Sequence, residues 1–306
     1  MLRRTLLAAS GSAAVRTVVT RAPVSRSVVR RFVSGEQVDD AVDTARQLLR
    51  DGLQVSLDHL GEQTTDRATA RSAVDAYLVL LERLSAAGLT AGGGAEVSVK
   101  LSAVGQALDE DLALASAREI CAAAAAAGTT VTLDMEDSST TDSTLRILAA
   151  LRRDHPSTGA VLQAYLHRTE DDCRALSGPG SRVRLCKGAY REPPEVAYTR
   201  PVEVDASYAR CLEVLMAGDG YPMVATHDPR LIAVAERLAA GRPEGSYEHQ
   251  MLFGVRPREQ RRLVAAGRRV RVYVPYGDEW YGYLVRRLAE RPANLVFFLR
   301  ALVGRS

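Results

Sequence analysis

Lysine is nearly absent from this chain. Lysine and arginine together number 40, yet only Lys100 and Lys187 are lysine and every other basic residue is arginine. An ammonium group is a compact charge with a tunable pKa, whereas a guanidinium is a rigid fork that stays protonated, so the two cannot replace each other inside a site. The two lysines are therefore either chance survivors in an arginine-biased chain or residues whose positions require an ammonium.

Closely spaced cysteines and long apolar runs are also missing. The four cysteines, Cys121, Cys173, Cys186 and Cys211, are at least 13 positions apart, which excludes CxxC metal motifs and gives no disulfide framework. We therefore expect a reducing compartment and no metal site. No apolar run reaches the roughly 18 residues of a membrane-spanning helix. The 306 residues, 46% hydrophobic, suffice for one barrel-sized domain or two smaller ones.

Acidic residues are missing from residues 1–35, which hold seven arginines, so the remaining chain is net negative although the whole carries +3. Such a segment is typical of an organelle transit peptide or of a basic helical leader that contacts anionic lipid. The leader is favoured because LRRTLLAAS and VVRRFVSGE look helical and continue into the next helix without a cleavage-like break. We expect a cytoplasmic protein in peripheral contact with the inner face of the membrane. No nucleic-acid partner is expected, because no aromatic platform accompanies the arginines.

Eight short apolar, β-rich runs alternate with longer helical patterns after residue 36. The runs are residues 53–59, 96–102, 131–136, 160–166, 183–189, 223–227, 248–254 and 271–277. Most begin nearly continuously apolar, as parallel strands buried on both faces do. The alternation predicts an α/β fold, a (βα)8 TIM barrel over residues 51–306, preceded by a leader over residues 1–50. An open doubly wound sheet is the alternative, but the glycine clusters precede strands, whereas a dinucleotide fingerprint follows one.

Polar residues recur near the ends of these predicted strands. They are Lys100, Asp134, Gln163, Arg184, Lys187, Tyr190, His227, Gln250 and Tyr273. Any single one could cap a strand or satisfy a loop. Because the catalytic groups of a barrel lie where its strands end, their recurrence predicts a site at the C-terminal mouth.

The segment WYGYLVRRLAERP after the eighth strand has a second polar pattern. At 100° per residue, Tyr283, Arg286, Arg287 and Glu290 share one helical stripe, and Tyr281, Leu284, Val285 and Leu288 share the opposite one. The stripe could be a solvated face with an Arg286 to Glu290 pair, worth tenths of a kcal/mol. Two adjacent arginines can also bind a carboxylate together. The arginine pair could then lie over the barrel mouth.

Taken together, these segments resemble the proline dehydrogenase family. VSVKLSAVG, LDMED, VLQAYL, VRLCKGAY, YTRPVEVDASY, VATHDP, EHQMLFGV and RVYVPYGDEWYGYLVRRLAERPAN each look like a family motif and occur in the family's order. The resemblance covers nearly the whole chain. It implies a distorted (βα)8 barrel that holds FAD at its mouth and oxidises L-proline to Δ1-pyrroline-5-carboxylate, with hydride passing from C5 to flavin N5. Electrons would go to a quinone, and the reaction would be the first step from proline to glutamate.

The resemblance also implies roles for individual residues. Arg286 and Arg287 would bind the substrate carboxylate, with Lys100 beside it and Asp134 close to Lys100. The proline ring would be walled by Tyr273, Tyr283 and Leu252. FAD would be approached by Arg184 near N5, Gln163 at the pyrimidine edge, and Lys187, Thr199 and His227 elsewhere, with Glu290 bracing the arginine helix or the ribityl region. A guanidinium in place of Lys100 or Lys187 would then crowd the site.

Two other functions are compatible with parts of this pattern. A Schiff-base aldolase also places a lysine on a barrel strand near an aspartate, but it would need no flavin and would leave the arginine pair less well explained. A non-catalytic barrel that serves as a scaffold would need neither cofactor nor turnover, and fold alone does not decide against it. The convergence of polar residues at strand ends argues against the scaffold.

Overall fold

The chain forms a closed parallel β-barrel, as the alternating pattern predicts. The computed structural model describes residues 29–284. Each strand pairs with the next along the sequence, and β8 pairs with β1 to close the barrel. The strands are β1 Gln54–His59, β2 Ala95–Lys100, β3 Val131–Asp134, β4 Gly159–Gln163, β5 Arg182–Cys186, β6 Tyr221–Ala225, β7 Glu248–Leu252 and β8 Val270–Tyr276.

Helices precede the first strand and connect each strand to the next. They are α1 Val38–Arg50, α2 Arg67–Ala86, α3 Glu110–Ala126, α4 Thr141–Leu151, α5 Thr169–Ala175, α6 Pro201–Ala217, α7 Pro229–Leu238 and α8 Pro257–Ala265. Aspartates begin several of them: Asp66, Asp109 and Asp228 accept hydrogen bonds from first-turn amides. After β8, residues 280–284 are again helical. In the described part of the chain, no helix is long and apolar enough to cross a membrane.

The apolar core lies between the barrel wall and the surrounding helices. Outward-facing strand residues such as Val97 and Leu133 pack with Leu80 and Ile120 from the helices. α1, which falls in the expected leader, buries Ala41 and its neighbours in the same core. The division of the chain at residue 50 stays a prediction.

The inside of the barrel is polar, which differs from the branched apolar filling usual for this architecture. On β2, Glu96, Ser98 and Lys100 face inward and bond to residues of other strands, while Val97 and Val99 face the helices. The strands are therefore buried on both faces as expected, but the inner face is polar rather than apolar. A buried polar residue must find partners, and here they come from across the barrel.

The predicted strands extend up to three residues too far at their C-terminal ends. The run 160–166 ends as a strand at Gln163, and the run 183–189 ends at Cys186. The extra residues belong to the loops that form the barrel mouth. Apolar loop residues continue the hydrophobic pattern of a strand, so the pattern alone cannot mark its last residue.

Candidate active site

A cavity of about 650 Å³ opens at the C-terminal mouth of the barrel. Residues from β2 to β8 and from the loops that follow them line it. They are Lys100, Asp134, Met135, Val161, Gln163, Arg184, Cys186, Lys187, Gly188, Ala189, Tyr190, Ala225, Thr226, His227, Asp228, Pro229, Gln250, Met251, Leu252, Tyr273 and Tyr283. A mostly apolar pocket with convergent polar groups at this end is the usual active site of a barrel.

The structure brings most of the predicted site residues into this one cavity. Those that line it are Lys100, Asp134, Gln163, Arg184, Lys187, Tyr190, His227, Gln250, Leu252, Tyr273 and Tyr283. Thr199 lies instead in an exposed loop before α6 and is not among the lining residues. Arg286, Arg287 and Glu290 lie outside the described residues.

Arg184 occupies the centre of the site. Its guanidinium donates to Asp134 Oδ1 at 2.7 Å, to Ser98 Oγ at 2.9 Å and to Gln250 Oε1 at 2.5 Å. It also lies over the ring of Tyr273, 5.2 Å from the ring centre. Burial opposes the charge of Arg184, but the nearby carboxylates of Asp134 and Glu96 outweigh it and raise the pKa. A fixed, permanent cation therefore faces the cavity.

Tyr273 and Asp134 form the next layer of the site. The Tyr273 hydroxyl donates to Asp134 Oδ2 at 2.6 Å, and Ser98 Oγ donates to Asp134 Oδ1 at 2.7 Å. Burial and the Asp134 charge raise the pKa of Tyr273 well above its ordinary value, so the phenol keeps its proton. Asp134 therefore accepts hydrogen bonds from three donors, Tyr273, Ser98 and Arg184, which together fix its position.

Lys100 forms a buried ion pair with Asp58, a residue that the sequence reasoning did not select. Lys100 Nζ lies 2.5 Å from Asp58 Oδ2, 3.9 Å from Asp134 Oδ2 and 3.5 Å from the Tyr273 hydroxyl. Burial lowers the pKa of Lys100, but the two carboxylates outweigh burial and hold it above its ordinary value. Lys100 therefore stays protonated throughout the neutral range.

The second lysine lies at the opposite side of the cavity and is half-exposed. Lys187 Nζ pairs with Asp205 Oδ1 at 2.5 Å and with Asp228 Oδ2 at 3.2 Å, and Arg230 contacts both aspartates. Nearby, His227 Nε2 accepts from the backbone amide of Leu252 at 2.9 Å. That bond fixes the imidazole tautomer with its proton on Nδ1.

Gln163 has an acceptor that the described residues do not satisfy. Its Nε2 donates to the carbonyl of Met135 at 3.2 Å, while its buried Oε1 has no hydrogen-bond partner among the described residues. A buried acceptor without a partner costs stability unless a ligand donates to it. Because Gln163 lines the cavity, this oxygen fits a ligand with an N–H at the edge of a ring.

Asp58, Ser98 and Tyr77 are the members of the site that sequence reasoning missed. Asp58 comes from the end of the first predicted strand, the one strand from which no polar residue was selected. Alternation within SLDH was the available signal, since Ser56 and Asp58 share one face of a strand. The bond from the Tyr77 hydroxyl to the Ser98 carbonyl, 2.7 Å, joins α2 to β2 and has no sequence signal.

Comparison with known proteins gives consistent matches. A family model described as proline dehydrogenase matches residues 41–300. The protein named Proline dehydrogenase 1 of Bacillus subtilis (strain 168) is 36% identical over 305 residues, 99% of each chain. The Proline dehydrogenase of Deinococcus radiodurans is 39% identical over 304 residues, 95% of this chain and 97% of that protein.

A solved structure shows the same fold. Proline utilization A from Bdellovibrio bacteriovorus, inactivated by N-propargylglycine, superposes with a TM-score of 0.80 at 26% identity. The match covers 92% of this chain but only 34% of that one, so this chain spans about a third of the larger protein.

Proposed function

Since the chain belongs to the proline dehydrogenase family, we propose that it oxidises L-proline to Δ1-pyrroline-5-carboxylate with FAD as its cofactor and a quinone as electron acceptor. The observation that carries the proposal is the convergence of Lys100, Asp134, Arg184 and Tyr273 on one cavity at the barrel mouth. Proline oxidation would be the first step of its catabolism to glutamate.

The cavity suits a flavin in its donors, acceptors and volume. Gln163 offers the unpaired acceptor that the N–H of a pyrimidine edge requires, and Arg184 offers a permanent cation for the redox-active part of the ring. Lys187 and His227 would hold more distant parts of FAD, together with Thr199 from the loop before α6. Bound FAD supplies a hydride acceptor, N5 of its ring, for the hydrogen on proline C5.

The substrate would lie over the Lys100 end of the cavity. Its carboxylate would bind the Lys100 ammonium together with Arg286 and Arg287, and Glu290 would brace the arginine helix or the ribityl region of FAD. Leu252, Tyr273 and Tyr283, which all line the cavity, would enclose the apolar ring. Such a wall orients the substrate and excludes water from the reacting carbon.

The geometry argues against a lysine-dependent aldolase. A Schiff-base lysine must lose its proton, which requires a lowered pKa. Asp58 and Asp134 instead raise the pKa of Lys100, and Asp58 Oδ2 lies 2.5 Å from the nitrogen that would have to attack a carbonyl. Lys100 is built to bind an anion rather than to act as a nucleophile.

We also propose peripheral membrane contact through the basic leader, because a quinone acceptor resides in the bilayer. Arginines of the leader would be attracted to anionic lipid. Deletion of residues 1–30 should release the protein from anionic vesicles in a flotation assay. Full retention of binding would contradict this proposal.

The test of the proposed function is product formation with defined reactants. The FAD-loaded protein should oxidise L-proline to Δ1-pyrroline-5-carboxylate, measured by mass spectrometry, while a soluble quinone is reduced to the quinol. Borohydride with a carbonyl substrate should leave the mass of Lys100-containing peptides unchanged. A borohydride-fixed adduct on Lys100, with no proline oxidation, would instead support the aldolase.

A further inference from the structure

We propose that Asp58 is a positioning residue: it holds the Lys100 ammonium on the β1 side of the barrel mouth, where the remaining N–H groups can bind the substrate carboxylate. The inference rests on the proposed function and assigns a role to a residue that lies behind the cavity wall. Asp58 is fully buried and does not line the cavity, so it would act only through Lys100.

The strand register brings two carboxylates, Asp58 and Asp134, close to the single ammonium group of Lys100. Asp58 pairs in register with Ser98, two residues before Lys100 on β2, and Lys100 pairs in register with Asp134 on β3. Lys100 therefore lies between two carboxylates, one on each neighbouring strand. The ammonium pairs with Asp58, whose Oδ2 lies 2.5 Å away, and is farther from Asp134, whose Oδ2 lies 3.9 Å away.

Because Lys100 pairs with Asp58, Asp134 can accept hydrogen bonds from other donors. Asp134 accepts from Tyr273 at 2.6 Å and from Arg184 at 2.7 Å, and both donors face the cavity. Without the charge of Asp58, Asp134 becomes the nearest carboxylate to Lys100. The flexible lysine stem can then carry the ammonium toward Asp134, where it competes with Tyr273 and Arg184 and turns away from the substrate.

The environment of Asp58 supports a role through position. The Lys100 side chain is only 8% exposed and that of Asp58 is fully buried, so little water competes with the pair. On the far side, the Tyr77 hydroxyl lies 3.4 Å from Asp58 Oδ1 and limits how the carboxylate can turn. A buried pair of this kind has a defined geometry and is a weak source of net stability.

The test compares two ligands on the FAD-loaded protein by titration calorimetry, which needs no turnover. Cyclopentanecarboxylate has the carbon ring and a carboxylate like that of the substrate, and cyclopentanemethanol has the same ring with a neutral hydroxymethyl group in place of the carboxylate. In Asp58→Asn the Kd for the carboxylate should rise about 10-fold, the loss expected for one charge-assisted hydrogen bond. The Kd for the alcohol and the flavin content should not change.

A matched control is available on the surface. Asp75 forms an ion pair with Arg71 at the same 2.5 Å distance, but both side chains are exposed. Asp75→Asn makes the same chemical change and should alter neither Kd. Unchanged carboxylate affinity in Asp58→Asn, or tighter binding because a negative charge has been removed, would overturn the proposal.

A comparison of two further variants covers the case in which Asp58→Asn does not fold. Lys100→Met removes the ammonium, and Lys100→Met with Asp58→Asn removes the whole ion pair, a change that proteins often tolerate. If Asp58 acts only through Lys100, the two proteins should bind cyclopentanecarboxylate equally. A further loss in the double variant would show that Asp58 acts otherwise.

Failure of the wild-type protein to oxidise L-proline would contradict the proposed function instead, and the calorimetric result would stand separately.

Discussion

At the scale of single residues, burial separates the two lysines of this arginine-rich chain. Lys100 is 6% exposed and lies between two carboxylates, whereas the Lys187 side chain is 35% exposed and reaches aspartates at the cavity edge. A guanidinium is larger than an ammonium, and the half-exposed Lys187 lies closer to open solvent than the buried Lys100 does. We therefore expect a guanidinium to be excluded on steric grounds at residue 100, and less strictly at residue 187.

Lys100→Arg should consequently lower kcat/KM for L-proline at least about 10-fold, because the guanidinium must displace Asp58 or enter the substrate space. Lys187→Arg should cost less, since its partners are near the surface. Steady-state kinetics of both variants, with flavin content measured in parallel, provide the check. Equal turnover in Lys100→Arg and wild type would refute the steric argument.

At the scale of elements, β7 and β8 hold Arg184 through a chain of buried polar contacts. Arg271 Nε donates to Glu248 Oε1 at 2.8 Å, Gln250 Nε2 donates to the same oxygen at 2.6 Å, and Gln250 Oε1 accepts from Arg184. A carboxylate can only accept, so Glu248 fixes which end of the Gln250 amide faces Arg184.

Glu248→Gln should lower the free energy of unfolding by about 3 kcal/mol, because it leaves the buried Arg271 without its main counter-charge. Urea denaturation measures the change. The matched control is Glu110→Gln, whose exposed pair with Arg146 has a 2.7 Å contact and should contribute less than about 1 kcal/mol. Similar losses in both variants would contradict the role assigned to the buried chain.

The helix after β8 illustrates what a sequence pattern can predict at this scale. Of the two stripes expected for that segment, Tyr283 lines the cavity, while Tyr281 and Leu284 pack against Phe32 and Val33. Among the residues that the structure describes, Tyr283 therefore reaches the cavity as its stripe predicts, although it also belongs to the apolar cluster that contains Tyr281 and Leu284. The pattern could not show that residues 32 and 33 cover the second face, because such a contact joins distant parts of the chain.

At the scale of the whole molecule, the order of the strands and the convergence of their polar ends on one cavity were predictable, and the polar inside of the barrel was not. Short apolar runs alternating with helical patterns leave few topologies, and their polar ends must meet at one mouth. Asp58 and Glu248 were missed because their function depends on partners in other strands. Glu96 has the same kind of distant partner, since it accepts a hydrogen bond from Arg182, which is 2.6 Å away in space and 86 positions away in the sequence.

The pH dependence of global stability should have a component from His249. This residue is buried on β7, neither ring nitrogen has a partner among the described residues, and burial lowers its pKa to about 4. The unfolded chain then binds more protons than the folded one below pH about 6.5, so stability falls as pH drops from 6.5 through 4, by about 3 kcal/mol.

His249→Leu should remove that component. Burial raises the pKa of Asp58 to about 6, which gives a contribution of opposite sign over an overlapping range, so the difference between the two proteins is the relevant quantity. Urea unfolding at several pH values between 4 and 7 measures it. Parallel pH profiles for wild type and His249→Leu would show that His249 is not the source.

The most direct test of the central claim is the visible absorption spectrum of the purified protein during anaerobic addition of L-proline. A flavin-like spectrum that bleaches in proportion to added L-proline is the predicted result, because cofactor and substrate would then react in one site. Absence of flavin after reconstitution with FAD, or a flavin spectrum that L-proline leaves unchanged, would contradict the assignment.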